Sequence, residues 1–77
     1  MDLYYMPTCP HCHRVMDWIR ENDDPDRFAY FDVTSDEVAA NKLMELEGGK
    51  GYVPCLAAHG RVIIGDGPII EYLEQSM

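Results

Sequence analysis

Two cysteines separated by two residues, Cys9-Pro10-His11-Cys12, are the side chains of this sequence best suited to chemistry. A cysteine thiolate is a nucleophile and a metal ligand. The pair follows a short apolar run, Leu3-Tyr4-Tyr5-Met6, and precedes a helix-like pattern. Cys9 is therefore expected where a strand passes into a helix. There the unpaired N–H groups and the positive end of the helix dipole favour an anion. In a redox reading Cys9 attacks a disulfide, and Cys12, one turn further in and more shielded, resolves the mixed disulfide. Pro10 and His11 tune the couple; a cationic His11 beside the Cys9 sulfur favours its thiolate and the reduced form. The other chemistry open to a CxxC is a zinc half-site, although structural zinc draws on a second Cys or His pair.

The elements that must position this motif read in the order β-α-β-α-β-β-α. Residues 2–6 read as a buried strand. From Pro10 a helix runs to near Asn22, with proline early in the first turn, where its missing N–H does no harm. Cys12, Val15, Met16 and Ile19 form its apolar stripe, Trp18 extends it, and Arg14, Asp17, Arg20 and Glu21 face solvent. The Asp23-Asp24-Pro25-Asp26 cluster makes a turn into a second strand at 28–31. Ser35 is the expected N-cap of a helix over about 36–47, with Val38, Leu43, Met44 and Leu46 as its apolar positions. Gly48-Gly49-Lys50-Gly51 ends that helix in a loop. Tyr52-Val53-Pro54 then leads into a third strand, Cys55–Ala58, and His59-Gly60 turns it into a fourth, Arg61–Ile64, as a β-hairpin. Gly65-Asp66-Gly67-Pro68 is a further turn, from which Pro68 starts a last helix whose apolar side is Ile69, Ile70, Tyr72 and Leu73. The strand–helix–strand start implies a parallel pair through a right-handed crossover, and the hairpin is antiparallel. The expected fold is α/β, a four-stranded mixed sheet flanked by helices on both faces.

Composition narrows the function classes. Seventy-seven residues, 47% of them hydrophobic, suit one small folded domain over residues 1–77. No apolar run approaches the ~18 residues of a membrane span. Met1-Asp2-Leu3 lacks the basic start of a secretion signal, so the cytosol is the expected compartment. Three cysteines, two of them in one CxxC, do not make a secreted disulfide scaffold. Fourteen acidic against six basic residues give a formal charge of −8. Phosphate binding needs clustered Lys and Arg, so nucleic acid is not an expected partner. The acids, spread from Asp2 to Glu74, read as a solvated surface.

Taken together, Leu3-Tyr4-Tyr5, Cys9-Pro10-His11-Cys12-His13-Arg14, Val53-Pro54 and Gly65-Asp66-Gly67 resemble a glutaredoxin of the thioredoxin-fold superfamily. The tail, from Val53-Pro54-Cys55-Leu56 through Ile69-Ile70-Glu71-Tyr72-Leu73, is also similar to the N-terminal domain of glutathione transferases, without room for their helical second domain. The resemblance implies that Pro54 is cis and faces the dithiol. It implies that the Val53 backbone pairs with the cysteinyl part of glutathione, and that Lys50 takes its glycine carboxylate. The same resemblance puts Asp66 and Gly67 in the loop that holds the γ-glutamyl end, where N–H groups at a helix start bind a carboxylate. Met6 stands where glutaredoxins often carry lysine, His11 where they often carry tyrosine, and Pro68 removes an N–H from the γ-glutamyl loop. The implied activity is reduction of protein–glutathione mixed disulfides or protein disulfides. The implied partners are glutathione, as co-substrate, and disulfide-containing or glutathionylated proteins. A monomer with no metal and no prosthetic group is expected.

Other readings use the same residues. A soft-metal carrier for copper or zinc would use Met6, Cys9, Cys12 and the histidines, but leaves Val53-Pro54 without a role. A redoxin fed by thioredoxin reductase keeps the dithiol and dispenses with the glutathione pocket. Cys9-x-x-Cys12-His13 also matches the pattern of c-type haem attachment, which requires export; His13 reads instead as an exposed helix residue. Cys55 is expected to be a small buried apolar side chain on the other face of the sheet, Trp18 a core residue and His59 a solvated turn residue. Tyr52 borders the active-site loop.

Overall fold

Alternation along the first strand sets the architecture. In a computed structural model describing residues 1–76, β1 (Asp2–Tyr5) buries both of its central residues, on opposite faces. Met77, the last residue of the span read as one domain, lies outside the described residues. Leu3 joins Val15 and Ile19 of α1 (Pro10–Asn22) and Ile69, Ile70 and Leu73 of α3 (Asp66–Gln75). Tyr4 joins Ala39 and Leu43 of α2 (Glu37–Leu46). Side chains on a strand alternate between faces, so a single β1 serves two cores.

The sheet order is β2-β1-β3-β4, with β2 at Ala29–Asp32, β3 at Cys55–Ala58 and β4 at Arg61–Ile64. β1 and β2 run parallel, whereas β3 is antiparallel to both β1 and β4. The register sets Leu3 opposite Leu56 and Tyr4 opposite Cys55, so β3 feeds the same two cores in phase. The fold is thus the expected one, a mixed four-stranded sheet with α1 and α3 on one face and α2 on the other, and it is thioredoxin-like. Among the described residues no helix is long and apolar enough to cross a membrane.

Three expectations are corrected at element ends. α2 is capped by Asp36, not Ser35: the Asp36 carboxylate accepts the Ala39 N–H at 3.1 Å, while the Ser35 N–H donates to the Asp32 carbonyl. Val38 and Met44 are exposed, at 78% and 47%. The stripe facing the sheet is Ala39, Leu43 and Leu46, spaced four and then three residues apart, and Val38 lies about 100° around the helix from it. α3 begins at Asp66, ahead of Pro68, because Gly65 caps it with φ of 98°, a conformation open to glycine. Pro68 then occupies the first turn, where no N–H is needed.

Candidate active site

Cys9 is the N-cap of α1, and its sulfur accepts the Cys12 N–H at 3.3 Å. The helix thus presents an unpaired donor and its positive end to the sulfur. Cys9 is partly exposed, whereas Cys12 is fully buried. Burial, and then the hydrogen bond of its S–H to Cys9, push the Cys12 thiol up to about 12. Cys12 is therefore a neutral thiol at physiological pH, one helical turn from a reachable sulfur. All three cysteines are free thiols.

His11 has a carboxylate partner. Its Nδ1 lies 3.3 Å from the Asp66 carboxylate, and Arg14, three residues on and on the same face of α1, donates to the same oxygen at 2.7 Å. The Arg14 hydrogen bond, ahead of that from His11, holds Asp66 down at about 2. These contacts fasten the CPHC motif to the start of α3. A second tie joins α3 to the proline segment, where the Gly65 N–H donates to the Pro54 carbonyl at 2.9 Å. The Val53–Pro54 peptide bond is cis, as the resemblance implied, and Pro54 is buried. Gly67, in the first turn of α3, faces open space. Hydrogen bonds thereby tie Cys9 to Cys12, His11 and Arg14 to Asp66, and the Gly65 cap of α3 to Pro54. Lys50 is exposed in the loop after α2 and makes none of the ion pairs found among the described residues.

Two residues escaped the sequence reading. Arg14 faces solvent as expected, but its spacing from His11 puts both on one face, where they share Asp66. Glu47, just past α2, is the one charged residue buried as a whole among the described residues. An acid at a helix C-terminus runs against the dipole, and that oddity was its signal. His13 is exposed, and its Nε2 contacts the Pro7 carbonyl ahead of the motif. Trp18 packs against the core at one face and lines a groove of about 740 Å³ between α1 and α3 with the other. Among the described residues, no three His, Cys, Asp or Glu side chains converge as a metal site.

The arrangement supports thiol–disulfide exchange, with a reachable sulfur at a helix start and a neutral thiol behind it. A comparison with protein families finds that the glutaredoxin family model matches residues 2–63, from β1 into β4, and so includes the CPHC motif and Val53-Pro54. The match stops before Asp66 and Gly67. No curated protein sequence matches the chain.

Proposed function

The chain belongs to the glutaredoxin family, with that family's general thiol oxidoreductase role, and from that premise we propose that it reduces protein–glutathione mixed disulfides and protein disulfides with glutathione as electron donor. The observation that carries this reading is the Cys9 sulfur, capping α1 at 3.3 Å from the Cys12 N–H while Cys12 stays buried and protonated. The Cys9 thiolate attacks the glutathione sulfur of a mixed disulfide; the S–S bond breaks, and the target protein leaves as a thiolate that takes up a proton. Cys9 then carries glutathione. Either a second glutathione thiolate attacks that sulfur and departs as glutathione disulfide, or Cys12 gives up its proton and displaces glutathione to form the Cys9–Cys12 bridge. With Cys12 held at about 12, the first route competes well at neutral pH.

Val53 offers backbone groups to the cysteinyl part of glutathione, Lys50 a cation to the glycine carboxylate, and Gly67 an N–H at the open start of α3 to the γ-glutamyl carboxylate. Asp66 takes the α-ammonium in competition with Arg14 and His11. The protein works in the cytosol as a monomer over its single domain and needs no metal or prosthetic group. That Asp66 is already paired, and that Pro68 withholds an N–H, favours a second reading in which thioredoxin reductase supplies the electrons.

One assay separates the two: turnover of a glutathionylated peptide coupled to glutathione reductase, set beside turnover coupled to thioredoxin reductase. Activity with glutathione is expected, abolished by Cys9→Ser. Cys12→Ser retains deglutathionylation and loses reduction of protein disulfides. Turnover with thioredoxin reductase alone overturns the glutathione coupling, and an active Cys9→Ser variant overturns the role of Cys9.

A further inference from the structure

Glu47 is 9% exposed and sits where a carboxylate is disfavoured, at the C-terminal cap of α2. A buried charge persists when something compensates it. Here its Oε1 accepts the Tyr52 N–H at 2.6 Å, across the Gly48–Gly51 loop, while its Oε2 is buried without a hydrogen-bond partner. Burial first, and then the nearby Glu47 carboxylate, push the Cys55 thiol up to about 12. Tyr52 and Cys55 are the residues on either side of Val53-Pro54. Between Glu47 and Tyr52 the loop carries three glycines at positive φ, Gly48, Gly49 and Gly51, and so has little stiffness of its own. Gly48 and Gly49 are tied to the end of α2 by their own N–H groups. The bond from Tyr52 to Glu47 is what carries that anchorage on to the proline segment.

We infer that Glu47 is a positioning residue for the disulfide substrate: its carboxylate, accepting the Tyr52 N–H, clamps the near end of the Val53-Pro54 segment proposed to receive the glutathionyl group. Cys55, a buried free thiol just past that segment, takes no part in exchange. The inference rests on the proposed binding of substrate along Val53. It places the effect of Glu47 in substrate binding, separate from the chemistry at Cys9.

The test is steady-state kinetics of Glu47→Ala and Glu47→Gln on a glutathionylated peptide, with the rate of Cys9 alkylation by iodoacetamide measured on the same proteins. Losing a hydrogen bond to a charged group is expected to raise KM roughly tenfold in Glu47→Ala, with kcat and alkylation within about twofold of wild type. Glu47→Gln keeps an acceptor for Tyr52 and recovers most of KM. A folded Glu47→Ala variant with unchanged KM overturns the inference, as does a KM that rises only in step with slowed alkylation. If Glu47→Ala does not fold, hydrogen exchange of the wild type decides: a Tyr52 amide as protected as the amides of α2 supports the clamp, and an unprotected one overturns it. Wild-type protein that fails to turn over the peptide overturns the redox proposal itself, an outcome distinct from both.

Discussion

Asp66 shows how a single carboxylate organises the site. It receives Arg14 and His11 from α1 while standing in the first turn of α3, so the dithiol motif and the proposed γ-glutamyl loop share one acceptor. Chiefly through Arg14, its pKa is about 2 in the folded protein, against 3.8 for an ordinary aspartate. The unfolded chain therefore binds more protons over that interval, and stability rises with pH there. The contribution of Asp66 is complete above about 4 and is lost as pH falls through about 2. Arg14→Ala should move the Asp66 midpoint, followed by NMR of its carboxyl carbon, up toward 3.8 and flatten the acid limb of the unfolding curve. An unmoved midpoint assigns the depression to something other than Arg14. The three thiols divide in the same local way. Cys12 and Cys55 are buried and held protonated, and only Cys9 is partly open to solvent.

At the scale of elements, α2 distinguishes two readings of one segment. Ser35 and Asp36 are adjacent and both are good N-cap types, but the observed bond runs from the Ala39 N–H to Asp36. Asp36→Ala should lower stability in urea unfolding by about 1 kcal/mol, whereas Ser35→Ala should stay within about 0.5 kcal/mol. The reverse order would return the cap to Ser35. This ambiguity marks the limit of what local pattern conveys. β1, α1, β3 and β4 were legible because their apolar spacing is strong and Pro10, Gly60 and Gly65 punctuate it. The phase of α2 was not, because Val38 and Met44 are as apolar as Leu43 and only packing against Tyr4 and Cys55 selects the stripe through small Ala39. The reacting pair was legible from its spacing. Asp66 was legible as a site residue but its pairing with His11 and Arg14 was not, since those contacts join residues more than fifty positions apart. The grip of Glu47 on Tyr52 crosses a glycine loop that no periodicity describes.

At the scale of the whole molecule, fourteen acids against six bases leave a charge of −8 that three arginine–aspartate pairs among the described residues offset only locally. Such a field repels itself and also the anionic glutathione that the site is proposed to receive, with exposed Lys50 as a local exception. Raising sodium chloride from about 0.1 M to about 1 M shortens the screening length from about 10 Å to about 3 Å. The melting temperature should therefore rise with salt; a flat or falling one means that repulsion is not what limits stability. The sheet meanwhile holds three sequence-distant segments, the CPHC motif, Val53-Pro54 and the start of α3, in one bonded assembly with Cys9 at its open edge. That Cys9 is the attacking sulfur is tested most directly by treating Cys12→Ser with glutathione disulfide and mapping the product by mass spectrometry. A single glutathione on Cys9 is expected; no adduct, or an adduct on Cys55, contradicts it.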